Sequence, residues 1–140
     1  AALREAVEET GLDPGGVQVV TMLPPLYVPA SEYVVTPVLA WWREPSVVSP
    51  VDVAEVTAVV RVPIEELVDP ANRLYVRLPD DRRTVAFEVG GLLVWGMTAA
   101  LLAGLLSEAG LDRPWDQERV EDLPADLLEL AMRSSRKESR

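Results

Sequence analysis

The chain has 140 residues, 49% of them hydrophobic and 26% charged, with a net charge of -10. This suits one soluble domain with a buried core, and the acidity argues against a nucleic-acid partner, which calls for a basic patch or stripe. Cysteine and histidine are both absent, which removes disulfides, thiolate and His-based catalysis, and His/Cys zinc sites together.

Ala1 to Thr10 reads as a helix, with Leu3 and Val7 at i, i+4 facing a core and Gly11 as its C-terminal cap. Asp13-Pro14-Gly15-Gly16 cannot continue that helix. Val17 to Leu23 reads as a strand closed by Pro24-Pro25, and "LYVPASEY" as a loop or hairpin connection. Tyr33 to Trp42 is rich in β-branched and aromatic residues and reads as one strand, in which Pro37 marks an edge or a bulge.

"REPSVVSP" is a loop. Glu55 to Val62 reads as a further strand, and Pro63 opens a short helix at "PIEELVDP". Arg73 to Leu78 and Thr84 to Val89 pair as strands around "PDDRR". Leu92 to Trp95 leads into a helix from Met97 to Ala109, capped by Gly110. The apolar run from Gly90 to Leu106 is too short and too broken by glycine for a membrane span. Asp112 to Asp122 reads as loop, Leu123 to Met132 as a final helix, and 133–140 as a frayed tail. The expectation is an α/β (α+β) layered fold in one domain over 1–132, without a signal peptide and cytoplasmic.

With cysteine and histidine absent, catalysis falls to carboxylates, hydroxyls, Lys/Arg and an oxygen-ligated metal. On a helix, Glu5, Glu8 and Glu9 stand at i, i+3 and i+4, which puts three carboxylates on one face. Like charges so spaced cost about 0.2–0.5 kcal/mol per pair. Three carboxylates on one face suit Mg²⁺ or Mn²⁺, hard cations that prefer oxygen ligands. The plain alternative is a solvated acidic face with an Arg4–Glu8 pair.

The run Arg4-Glu5-Ala6-Val7-Glu8-Glu9-Thr10-Gly11-Leu12 resembles the second half of the Nudix box, G-x5-E-x7-R-E-U-x-E-E-x-G-U with U aliphatic. "AEVTAVVRVPIEELVDP" is similar to the strand and short helix that follow in many Nudix hydrolases. "WGMTAALLAGLL" resembles the W-G-x-T-A helix opening of the coenzyme A pyrophosphatase branch. The box needs seven residues between its first glutamate and the arginine, and this chain supplies Ala1, Ala2 and Leu3. The expectation is therefore a chain that starts inside the box, either a fragment or a sequence lacking an N-terminal part.

The resemblance implies a mixed β-sheet sandwiched between helices and metal-dependent hydrolysis of a nucleoside diphosphate linked to another moiety. It makes Glu5, Glu8 and Glu9 the metal ligands, Glu5 also a possible base, and Arg4 the residue that orients them. Glu55 is an extra catalytic carboxylate or an ordinary strand-end glutamate, and Asp52 is a weaker candidate.

The expected substrate is coenzyme A or acyl-CoA, giving adenosine 3',5'-bisphosphate and (acyl-)4'-phosphopantetheine. The alternatives are ADP-ribose or NADH as substrate, or an inactive fragment serving as an interaction module. The expected partners are a nucleotide substrate and a second copy in a homodimer, with no nucleic acid and no membrane. Trp41 and Trp42 point to opposite faces of their strand. Trp95 is a buried anchor, Arg82 and Arg83 lie in a solvated turn, and Glu65 and Glu66 have no assigned role.

Overall fold

The computed structural model describes residues 1–28, 32–51, 53 and 56–129. The fold is mixed, with helices and several small sheets, and its contacts form two compact units, Ala1–Val60 and Arg61 onward. Among the described residues no helix is long and apolar enough to cross a membrane.

In the first unit, helix α1 (Ala2–Thr10) ends at Gly11, whose φ of 67° is left-handed and whose N–H donates to the Val7 carbonyl. A residue with a Cβ is strained there, which explains glycine at this position. A 3-10 turn over Pro14–Gly16 follows, its Gly15 N–H donating to Asp13 Oδ1 at 2.9 Å.

Strand β1 (Val17–Met22) pairs antiparallel with β4 (Val38–Trp42), and β2 (Leu26–Val28) pairs with β3 (Tyr33–Val35). The β1–β4 register shifts between Val19 and Thr21, leaving Val20 as the extra residue of a bulge. "LYVPASEY" thus contributes both strands of a hairpin, although 29–31 lie outside the described residues.

Three expectations for this unit and its border are corrected. The single strand from Tyr33 to Trp42 is two strands, split at Thr36-Pro37. Proline lacks the N–H a ladder needs, and here it serves through its carbonyl, which accepts from the Leu23 N–H at 2.8 Å. Residues 56–62 form no strand: β-branched composition alone does not pair a backbone, and no ladder among the described residues includes them. Leu3 and Val7 do not enter a core; α1 has no buried residue, and Gly16 is the one buried residue described in this unit.

The second unit holds the core. Helix α2 (Ile64–Val68) starts after Pro63, and β5 (Arg73–Arg77), β6 (Arg83–Val89) and β7 (Leu92–Val94) form an antiparallel meander. Helix α3 (Gly96–Glu108) follows, and β8 (Val120–Asp122) returns parallel to β5, giving the order β7-β6-β5-β8. The expected loop from Asp112 to Asp122 therefore ends in a strand.

Alternation along the strands builds two apolar layers. Phe87 and Val89 pack with Val68, Ala99 and Leu106 from the α2 and α3 side. Leu74, Val76 and Ala86 pack with Leu123, with half-buried Trp95 and with Leu127 and Leu128 of the helical residues 125–129. Phe87, Leu74 and Val76 are fully buried. Within this unit the mixed four-stranded sheet carries apolar residues on both faces.

Candidate functional site

Helix α1 carries four of the candidate residues. Arg4 Nη1 donates to both carboxylate oxygens of Glu8, at 3.0 and 3.1 Å. Glu5 is exposed and Glu9 half-buried, and neither carboxylate has a hydrogen bond or ion pair among the described residues. The helix thus places Arg4 on Glu8, as i, i+4 spacing dictates.

The C-terminal end of α1 is held by a loop. Val51 N–H donates to the Glu9 carbonyl at 2.9 Å and Ser49 N–H to the Thr10 carbonyl at 3.0 Å. These bonds satisfy two of the carbonyls that a helix end leaves without partners. Thr10 Oγ1 also donates to the Ala6 carbonyl at 2.6 Å. The final turn that bears Glu8 and Glu9 is therefore fixed from outside as well as along its own axis. Asp52 and Glu55 lie outside the described residues.

For a divalent cation the donors are of suitable chemistry: hard carboxylate oxygens on an accessible helix. Their arrangement is open. Among the described residues no group of three acidic side chains is gathered in a way that holds a metal ion. Arg4 engages Glu8, but a carboxylate has about four lone-pair positions, so that contact leaves acceptor capacity free.

The remaining candidates fall on structural positions. Trp41 is 64% exposed and Trp42 half-buried, on opposite faces of β4. Trp95 packs beside Leu74 and Val76 as an anchor. Arg82 Nε donates to Asp80 Oδ2 at 2.5 Å within the β5–β6 turn, and this bond chiefly holds the Asp80 carboxyl below its usual 3.8. Glu66, given no role in the sequence reading, accepts from the Gly90 N–H at 3.2 Å and ties α2 to the β6–β7 turn. No local signal announces that bond, because its partners are 24 residues apart.

No protein-family model, curated protein or solved structure matches the chain.

Proposed function

We propose that this chain carries the carboxylate helix of a Nudix-type diphosphohydrolase, with a Nudix-like mixed sheet between helices and coenzyme A or acyl-CoA as substrate. The observation that supports this reading is the run from Arg4 to Leu12. It forms one helix ended by a left-handed glycine, with Arg4 spent on Glu8 and the Glu5 and Glu9 carboxylates unpaired among the described residues.

In this reading Glu5, Glu8 and Glu9 hold Mg²⁺ or Mn²⁺, and Arg4 fixes the rotamer of Glu8. A cation bound there supplies charge neutralisation on the diphosphate and a water of lowered pKa. Glu5 and Glu55 are the carboxylates proposed to take a proton from the attacking water. The products are adenosine 3',5'-bisphosphate and (acyl-)4'-phosphopantetheine. ADP-ribose or NADH is the alternative substrate. A cytoplasmic setting and a homodimer complete the proposal.

A second reading, an interaction module without turnover, is favoured by the first unit's exposed apolar residues. Val20, Met22 and Trp41 on the β1–β4 pair are 59%, 70% and 64% exposed. They are spread over both faces of that pair, Trp41 beside Gln18 and Met22 beside Val38, and offer apolar side chains to a partner.

Coenzyme A hydrolysis with and without Mg²⁺ or Mn²⁺, followed as release of adenosine 3',5'-bisphosphate, separates the readings. Metal-dependent release that is lost in Glu8→Gln supports the hydrolase. Release that persists in Glu8→Gln at saturating metal removes Glu8 from the ligand set. No release from coenzyme A, ADP-ribose or NADH leaves the interaction module.

A further inference from the structure

After α3 the chain crosses back to the open edge of β5 and is fastened there by charged groups, one ring contact and a short parallel ladder. Near the start of the crossing, Asp112 pairs with Arg73, whose guanidinium carbon lies 4.9 Å from the Trp115 ring centroid and 5.4 Å from that of Phe87. Trp115 in turn meets Tyr75, with ring centroids 4.8 Å apart.

At the far end Arg119 binds partners from three elements. Its Nη1 donates to the Ala71 carbonyl at 2.6 Å, and its Nη2 engages Glu88 of β6 and, at 2.9 Å, Glu121 of β8. Arg77 and Asp122 add a looser pair at 3.8 Å. The backbone share is small. The parallel ladder matches Tyr75, Val76 and Arg77 with Val120, Glu121 and Asp122, and is flanked by Tyr75 N–H to Arg119 O at 3.0 Å and Leu123 N–H to Arg77 O at 3.1 Å.

We infer that residues 112–122 form an electrostatically latched strap that leaves the β5 edge as a unit while the β5–β6–β7 meander stays folded. The meander keeps its own antiparallel ladders and, with α2 and α3, the Phe87–Val89 layer, whereas the strap contributes half-buried Trp115 and Val120 and runs into Leu123, which packs on Leu74, Val76 and Ala86. Charge-assisted bonds at partly exposed side chains weaken with salt. Release leaves the N–H and C=O groups of β5 unpaired, the state in which an edge recruits another strand.

Native-state hydrogen exchange on the whole chain tests this through the two amides that report the strap, Tyr75 and Leu123. They are expected to exchange at least about tenfold faster than the most protected β6 amides, as belongs to a separately opening segment. Arg119→Ala widens that gap by a further factor of about ten or more, since it removes several charge-assisted bonds at once. Arg82→Ala, which breaks an ion pair outside the strap, leaves the gap unchanged.

Equal protection of Tyr75, Leu123 and β6 in the wild type overturns the inference, as does uniform acceleration of every amide in Arg119→Ala. Should that variant not fold, the wild type is titrated with NaCl from about 0.05 M to about 1 M. Selective acceleration at Tyr75 and Leu123 then supports the latch, and a uniform response or none overturns it.

Discussion

Arg4 and Glu8 stand one helical turn apart, and both Glu8 carboxylate oxygens lie within 3.1 Å of Arg4 Nη1. The two side chains are 66% and 56% exposed, so the pair contributes about 0.3–0.5 kcal/mol to stability. Its proposed value is orientation. Arg4→Ala is therefore expected to move the urea midpoint hardly at all while lowering metal-dependent kcat/KM by about tenfold or more, the usual cost of losing a residue that orients a ligand. Full kcat/KM in a stably folded Arg4→Ala would remove Arg4 from the machinery.

Gly16 is needed for space. A Cβ built there comes within 2.2 Å of the Glu44 carbonyl oxygen, a backbone atom, and the Glu44 N–H donates to the Gly16 carbonyl at 3.1 Å. At Gly15 the nearest obstacle is the Asp13 side chain at 3.2 Å, which can yield. Gly16→Ala should cost about 1–3 kcal/mol by overpacking, and Gly15→Ala clearly less. Urea unfolding of both variants decides this, and equal losses would contradict the close approach.

The second unit was legible because its patterns are local. β5 and β6 alternate around a polar turn, and "WGMTAALLAGLL" is a helix that buries Ala99 and Leu106. The strand at Val120–Asp122 was not legible, since two of its three residues are acidic and exposed. Its pairing comes from β5 and from Arg73, which are distant in sequence, and from the bonds that neighbouring Arg119 makes to Ala71 and Glu88. Residues 56–62 show the converse, strand-like composition without a ladder. For the candidate site, spacing alone predicts the Arg4–Glu8 contact, because a helix fixes i, i+4 neighbours. The loop bonds from Ser49 and Val51 to the end of α1 depend on tertiary placement, which no spacing encodes.

Asp80 gives a pH signature whose sign follows from its partner. The Arg82 side-chain bond lowers its pKa below 3.8 in the folded chain. A folded-state pKa below the unfolded value adds stability above the unfolded pKa, and that contribution disappears as pH falls through the folded pKa. The stabilisation is therefore constant through neutrality and is lost only in the acid range beneath pH 3.8. A carboxyl titration by NMR should place Asp80 below an ordinary aspartate, and Arg82→Ala should bring it back up. An unmoved titration in that variant would assign the shift to some other group.

Phe87 joins the α3-side layer to the strap. It is fully buried among Val68, Val89, Ala99 and Leu106, and Arg73 lies over its ring. Phe87→Ala removes most of the side chain from the centre of that layer and should cost about 3–5 kcal/mol, the transfer of the lost atoms plus the cavity left behind. Phe87→Leu retains much of the apolar volume but lacks the ring face that attracts a guanidinium, a contact of about 0.5–2 kcal/mol depending on desolvation. It should therefore fall between the wild type and Phe87→Ala, and its loss should shrink when Arg73 is replaced by Met. Urea unfolding of the four-member cycle measures that coupling. A Phe87→Ala loss below about 1 kcal/mol would be that of a surface site and would contradict the core position.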